Sequence, residues 1–323
     1  MPALASSFLA SPAMPAGESG RRELARWMTD PEHPLTARVA VNRLWQGHFG
    51  AGLVRTSSNF GLRGDTPSHP ELLDWLAREF VARGWSQKAL HRLICLSSTY
   101  QSSAEPSARA AALDPGNRLL SHQNRRRLAA EELRDALLFT AGRLDPALGG
   151  SLLEIGNGEY VTNDQSKDAA RYDSPRRSLY LPIIRNAMLD LFSTFDYPDP
   201  STTVEARPST TSPTQALYLM NSPLVVDAAA RLSEAALERS PDPQPRVNEL
   251  YRRAFGRAPT AEESARLLGF AQRAAASVLE PSRSDIGQGR ADNAPEALVR
   301  GEREAWNSIA QVLLISNEFL FID

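Results

Sequence analysis

The chain has 323 residues, with 36 basic and 38 acidic side chains and a formal net charge of −2, so no whole-protein field draws it toward nucleic acid or anionic lipid. No stretch of about 18 apolar residues occurs; even the run from Trp306 to Ile322 is broken by Asn307, Gln311, Asn317 and Glu318, which argues against a membrane span. Cys95 is the single cysteine, which excludes an internal disulfide, leaves the redox compartment open, and with no Cys-x-x-Cys-His leaves no haem attachment motif.

At about 150 residues per domain, the length fits one large domain or two lobes. Residues 1–20 are rich in Ala, Ser and Pro, with no Lys or Arg ahead of a short apolar patch. They make a poor secretory signal and read as a disordered lead-in or linker, or as the trimmed end of a longer protein. From Arg21 to about Arg143 the signals are helical. His33-Pro34 opens one helix, with Ala40, Leu44 and Phe49 near one face and Gly50 as its stop. Ser68-His-Pro-Glu71 reads as a capping box ahead of Leu72, Leu73, Leu76, Phe80 and Val81. Gly84 ends that helix, and Ser86 caps another through Leu90, Leu93, Ile94 and Leu96, making a helical hairpin. A third long helix is expected from about Asn124 to Arg143, striped by Leu133, Leu137 and Ala141.

Between Gly149 and about Thr211, Gly, Asn, Asp, Tyr and Pro penalise helix repeatedly. Turns with two or three short strands are expected there, the best over Ser178 to Ile184. Helix returns at Ser212-Pro-Thr-Gln215, and Asn221-Ser-Pro223 ends that segment and caps the next, which carries Leu224, Val225, Ala228, Leu232 and Leu237. Thr260-Ala-Glu-Glu263 is a further capping box, for a helix to about Val278. Residues 280–293 are polar and Gly-bearing, with the composition of a mobile link. The final helix is expected to pack Trp306, Ile309, Val312, Leu313 and Phe319. The fold class is therefore mainly α: two helical lobes, 21–148 and 212–323, around a loop-rich central segment, 149–211, with a few short β-strands.

Several motifs in order resemble a planctomycete-type domain of unknown function, number fifteen fifty-three. They are Asn59-Phe60-Gly61, Pro67-Ser-His-Pro-Glu71-Leu-Leu-Asp74, Gly84-Trp85-Ser86 and Ser98-Thr99-Tyr100-Gln101. They continue in Arg127-Leu-x-Ala-Glu131-Glu-Leu-Arg134-Asp135, Phe195-Asp196-x-Pro-Asp199-Pro, Thr214-Gln215-Ala216-Leu217, Asn221-Ser222-Pro223 and Ser316-Asn317-Glu318-Phe319. The resemblance covers the chain from about residue 20 onward. It implies a C-terminal part of a large exported bacterial protein, hence a periplasmic or extracellular location. The partners it implies are a related N-terminal domain or a cytochrome c-like domain, and it transfers no catalytic residues.

Candidate chemistry concentrates on the central segment. Asp196, Asp199 and Glu205 offer three carboxylates within ten residues, able to serve as acid and base in glycoside hydrolysis or as oxygen ligands. The alternative is that each Asp near Pro bonds its own backbone in a turn. Arg127, Glu131, Arg134 and Asp135 stand at helical spacings i, i+4, i+7 and i+8, which makes them either a solvated ladder or a network holding Asp196 or Asp199. Arg176, Arg177 and Arg185 flank the expected strand and, with Arg207, form a candidate set for an anionic sugar, against the plainer reading of solvated charges. The five histidines, at 33, 48, 69, 91 and 122, include no His-Glu-x-x-His, and Gly-x-Ser-x-Gly and nucleotide-binding glycine fingerprints are absent, so no metal site or cofactor is evident. Trp45, Trp75, Trp85 and Tyr100 read as core. The readings that remain are a binding or assembly module, linked to extracellular polysaccharide through the family resemblance; a carboxylate hydrolase acting on an anionic polysaccharide; and a docking scaffold for a cytochrome c-like domain.

Overall fold

The computed structural model describes residues 17, 19–150, 152, 172–183, 188–277 and 294–322. They are mainly α: thirteen α-helices and one two-stranded sheet. None of these helices is long and apolar enough to cross a membrane. The described residues form two compact units. The first runs up to Arg126 and includes Val204–Ala206; the second holds Arg127–Thr203 and Arg207–Ile322.

The first unit contains α1 (Arg21–Met28), α2 (Thr36–Phe49), α3 (Pro70–Ala82), α4 (Gln87–Cys95) and α5 (Ala108–Leu113). Helix α2 begins two residues after Pro34 because the His33 ring caps it, Nδ1 accepting from the Thr36 and Leu35 amides at 3.1 and 3.2 Å. At α3 the expected cap moves from Ser68 to His69, with Pro70 as the first helical residue and the Ser68 hydroxyl turned to the His69 ring. Ser86 caps α4 as expected, accepting from Ala89 N. Val41, Trp45 and Phe49 of α2 meet Leu73, Leu76 and Phe80 of α3 and Leu90 and Ile94 of α4 in one core. Trp75 departs from the core reading: it is 44% exposed.

One buried polar group organises the loop after α2. Asn42 is fully buried, and its amide copies a backbone pair, donating to Val54 O at 2.9 Å and accepting from Val54 N at 2.8 Å. An unpaired amide at such depth would be expensive, so the loop is fixed wherever these bonds are made. Gly52 belongs to the same device: a Cβ there would meet the Asn42 side chain and Val54 O at 2.6 Å.

The second unit contains α6 (Ala130–Thr140), α7 (Asp190–Thr194), α8 (Pro213–Asn221), α9 (Pro223–Arg239), α10 (Pro243–Phe255), α11 (Ala261–Ser277), α12 (Ala294–Leu314) and α13 (Asn317–Leu320). Strand β1 (Arg126–Arg127) pairs with β2 (Phe321–Ile322), and Leu128 N donates to Leu320 O at 2.8 Å. This pairing shortens the helix expected from Asn124: α6 starts only at Ala130, where Glu132 reaches back to the Ala129 amide. Helices α9 and α12 pack along each other, with α10 and α11 against them, and bury Leu133, Leu137, Phe192, Leu232, Leu250, Trp306 and Ile309. Helix α10, opened by Asp242-Pro243, is an element the sequence reading passed over. Val312, expected in the core, is 56% exposed. Ser178–Tyr180 form a 3-10 turn instead of the start of a strand, because Ser178 is drawn onto α6 and Pro182 cannot donate to a ladder. Ile184, Arg185 and residues 280–293 lie outside the described residues.

Ion pairs tie the ends of these helices together. The Arg257 guanidinium bonds Glu263 at 2.8 Å and Glu318 at 2.6 Å, joining the end of α10 to α11 and α13, while Thr260 and Glu263 complete a reciprocal capping box. Glu249, buried on α10, accepts from Arg252 at 2.7 Å and Arg253 at 2.6 Å. The Arg252 bond foremost, then the Arg253 bond, overcomes the opposing effect of burial and holds its carboxyl down at about 2. A carboxyl lowered on folding contributes stability that is present above its ordinary range near 4.5 and is lost as pH falls toward about 2. Glu249→Gln is expected to remove about 1–2 kcal/mol at neutral pH. Urea unfolding followed at several pH values should also show a shallower decline between 4.5 and 2 than in the parent chain.

Candidate functional site

The irregular part of the second unit is organised around the charged residues at and before α6. Arg127 leaves β1 nearly buried, and its Nη2 donates to Asp196 Oδ2 at 2.6 Å, the two side chains being 8% and 14% exposed. Its Nη1 donates to Gln215 Oε1 at 2.7 Å and to the Thr210 carbonyl. The guanidinium lies over the Phe195 ring, 5.4 Å from its centroid. One side chain therefore joins the turn after α7, the exposed stretch before α8 and the first turn of α8.

Asp196 occupies that turn in a left-handed conformation, φ 61°. Tyr197 N donates back to Phe192 O at 3.0 Å, as in the αL ending of a helix where glycine is usual. Aspartate accepts this backbone better than most side chains, and its carboxylate then accepts four bonds, from Arg127, from Thr210 N at 2.9 Å, from Thr210 Oγ1 at 2.8 Å and, longer, from Gln215 Nε2 at 3.4 Å. Burial is the largest single influence on this carboxyl and raises its pKa, but the Thr210 bonds and Arg127 together outweigh it and set the value below the ordinary carboxylate range. Gln215, buried, closes the circuit by donating to Thr194 O at 3.0 Å.

The rest of the expected ladder works in the same outward way. Arg134, buried on α6, donates to Arg176 O at 2.8 Å, to Ser178 Oγ at 3.3 Å and to Ser174 O. Burial, opposed by Asp135 and Asp173, lowers its pKa from the usual arginine value. Asp135 accepts from both the amide and the hydroxyl of Ser178 at 2.7 Å. Glu131 takes Arg207 Nη1 on both oxygens at 2.8 Å, with the guanidinium 5.4 Å from the Tyr197 ring centroid. The four residues thus hold segments 174–178, 196 and 207–215 onto α6 and β1.

The three carboxylates have separate partners. Asp199 is exposed and accepts from Ser201 N at 2.8 Å in a local turn. Glu205 belongs to the first unit, where it accepts from Ser58 N at 2.9 Å. Among the described residues the arginines Arg176, Arg177 and Arg207 have separate surroundings. Arg176 donates to the carbonyls of Ala147 and Gly149 and covers Tyr180 at 4.4 Å, Arg177 is exposed, Arg207 is held by Glu131, and Arg185 lies outside the described residues.

Behind this framework the second unit has a cavity of about 390 Å³, on which Arg134, Arg143, Tyr172, Asp173, Tyr218 and Asp227 converge. Arg143 Nη1 meets Asp227 Oδ2 at 2.9 Å, and Arg231 meets the same oxygen at 3.1 Å. Burial pushes the Asp227 pKa up, and the two arginines more than reverse it, so this carboxyl is ionised. Burial, aided by Asp190, raises the Tyr218 pKa above 10 against Ser222 and Arg134, so its phenol is a donor at neutral pH. Apart from Arg134, none of these residues was singled out from the sequence. The one local signal was Asp227 four residues before Arg231. The first unit has a larger groove of about 550 Å³, lined chiefly by apolar side chains such as Leu35, Phe60, Leu62 and Leu73, with Arg38 and Asp74 paired at its edge at 2.6 Å. No group of three His, Cys, Asp or Glu side chains placed to hold a metal ion occurs among the described residues.

A family model described as "PSD1: Protein of unknown function (DUF1553)" matches residues 20–271. No curated protein and no solved structure matches the chain.

The two aspartates of the acid/proline segment should respond unequally to substitution. Asp196→Asn keeps a side chain that tolerates positive φ but removes the charge facing Arg127, and is expected to cost about 1–3 kcal/mol in urea unfolding. Asp199→Ala, on an exposed turn, should stay within about 0.5 kcal/mol of the parent chain.

Proposed function

The chain belongs to the PSD1 family, proteins of unknown function (DUF1553), and we propose that it is a binding or assembly module of an exported bacterial protein, export being what the family resemblance implies and binding what its side chains support. In this reading the cavity of the second unit takes a sugar residue of an extracellular polysaccharide. What carries the reading is a space of ligand size whose wall combines Tyr172 and Tyr218 with two arginines and two aspartates. Ligand pockets run from about 300 to 1,000 Å³, and a cavity of about 390 Å³ falls in the lower part of that range. An aromatic side chain offers an apolar face with a polar tip, suited to a ring that is apolar on its faces and hydroxylated at its edge. Arginine and carboxylate beside it supply fixed donors and acceptors for those hydroxyls.

The charges in the wall balance, Arg134 and Arg143 against Asp173 and Asp227, which favours a neutral ligand over the anionic one expected from Arg176, Arg177, Arg185 and Arg207. Hydrolysis by a carboxylate pair needs one acid kept protonated near neutral pH. Among the described residues, the carboxyls whose pKa values depart from the ordinary range all depart downward: Asp114, Asp196, Asp227, Glu249 and Glu263. Binding without bond cleavage is the reading these groups support.

Isothermal titration of the chain with neutral and uronic-acid oligosaccharides tests it. Saturable binding of a neutral oligosaccharide is expected, weakened about tenfold or more, roughly 1.4 kcal/mol, by Asp173→Ala or Arg143→Ala. Silence across the panel, or binding that neither substitution changes, would overturn the proposal.

A further inference from the structure

A second constellation lies in the first unit, apart from the cavity and independent of the reading above. His48, in the last turn of α2, has both ring nitrogens engaged: Nε2 lies 2.7 Å from His91 Nδ1, and Nδ1 lies 4.0 Å from Cys95 Sγ. His91 and Cys95 stand four residues apart on α4, so they share one helix face. The Tyr100 ring meets His48 edge-on at 5.4 Å. His48 and Cys95 are half-buried, whereas His91 is exposed. A thiol, an imidazole facing its sulfur and a third group orienting that imidazole are the parts of an activated nucleophile.

We propose that Cys95 is an activated thiol, deprotonated through a two-imidazole relay and open to covalent modification by low-molecular-weight disulfides and other soft electrophiles. The protons balance along the relay. The Cys95 S–H proton moves to His48 Nδ1 as the His48 Nε2 proton moves to His91 Nδ1. The products are a thiolate, a neutral His48 whose Nδ1–H now donates to sulfur where Nδ1 had accepted, and a cationic His91 whose ring faces water. Two rings do this better than one because a cation on His48 itself is disfavoured, first by burial and then by His91 and Arg126. Passing the charge outward places it where solvent stabilises it. With a disulfide, the thiolate attacks one sulfur, the S–S bond breaks, the other half leaves as a thiolate, and a mixed disulfide forms on Cys95. No second cysteine in this chain can resolve it.

Alkylation of the intact chain by iodoacetamide at pH 7, with unfolding curves recorded for each variant, tests the relay. The folded parent is expected to react at least about tenfold faster than the same chain unfolded in urea, whose thiol is ordinary. His91→Gln, on an exposed ring, should bring the folded rate close to the unfolded one while leaving the unfolding curve in place, and His48→Gln should do the same. A folded rate at or below the unfolded rate, or one indifferent to His91→Gln, would overturn the proposal.

Discussion

A buried guanidinium must find partners for most of its five N–H groups, and the second unit is built around satisfying two of them. Arg127 and Arg134 are both nearly excluded from water, and neither finds what it needs within its own element. Their acceptors come from stretches with little regular structure of their own: Asp196 and Thr210 for Arg127, Ser174 and Arg176 for Arg134. Removing one partner of such a pair strands a charge in a poor solvent, at about 3–5 kcal/mol for a fully buried case. That penalty fixes where the segments lie, because few other arrangements supply as many carbonyl and carboxylate oxygens.

The same demand reaches into the acid-rich stretch. Asp196 is drawn into a strained backbone turn and held ionised by the bonds that justify the strain. Its neighbours in sequence are used elsewhere, Asp199 in its own turn and Glu205 on the first unit. The framework leaves behind it a cavity whose charges are already matched, Arg143 against Asp227 among them, beside Tyr172 and Tyr218.

The helices were legible because their periodicity and caps are local. Ser86 and the Thr260–Glu263 box act where the sequence places them, and the stripes of α3 and α9 face their cores. Errors arose where a distant partner overrides a local preference. Arg126-Arg127 reads as helix until β2 pairs with it, and Ser178 reads as strand until Asp135 takes its amide. The cluster Arg127, Glu131, Arg134 and Asp135 was visible as spacing, and its link to Asp196 was one of two readings. Which carboxylate each arginine takes depends on chain folding over 40 to 90 residues, which no motif encodes. The cavity was least legible, since Tyr172, Asp173 and Tyr218 carry no pattern of their own and meet only when those segments are in place.

The most direct test of this account is amide hydrogen exchange at Thr210 and Ser178 in the intact chain. Both amides lie outside α-helices and strands, and each donates to a carboxylate, Asp196 at 2.9 Å and Asp135 at 2.7 Å. If the arginine framework holds these segments, both amides exchange far more slowly than open peptide, and Arg127→Met releases Thr210 while Ser178 stays protected. Exchange of both amides at open-peptide rates in the parent chain would contradict the account at its centre.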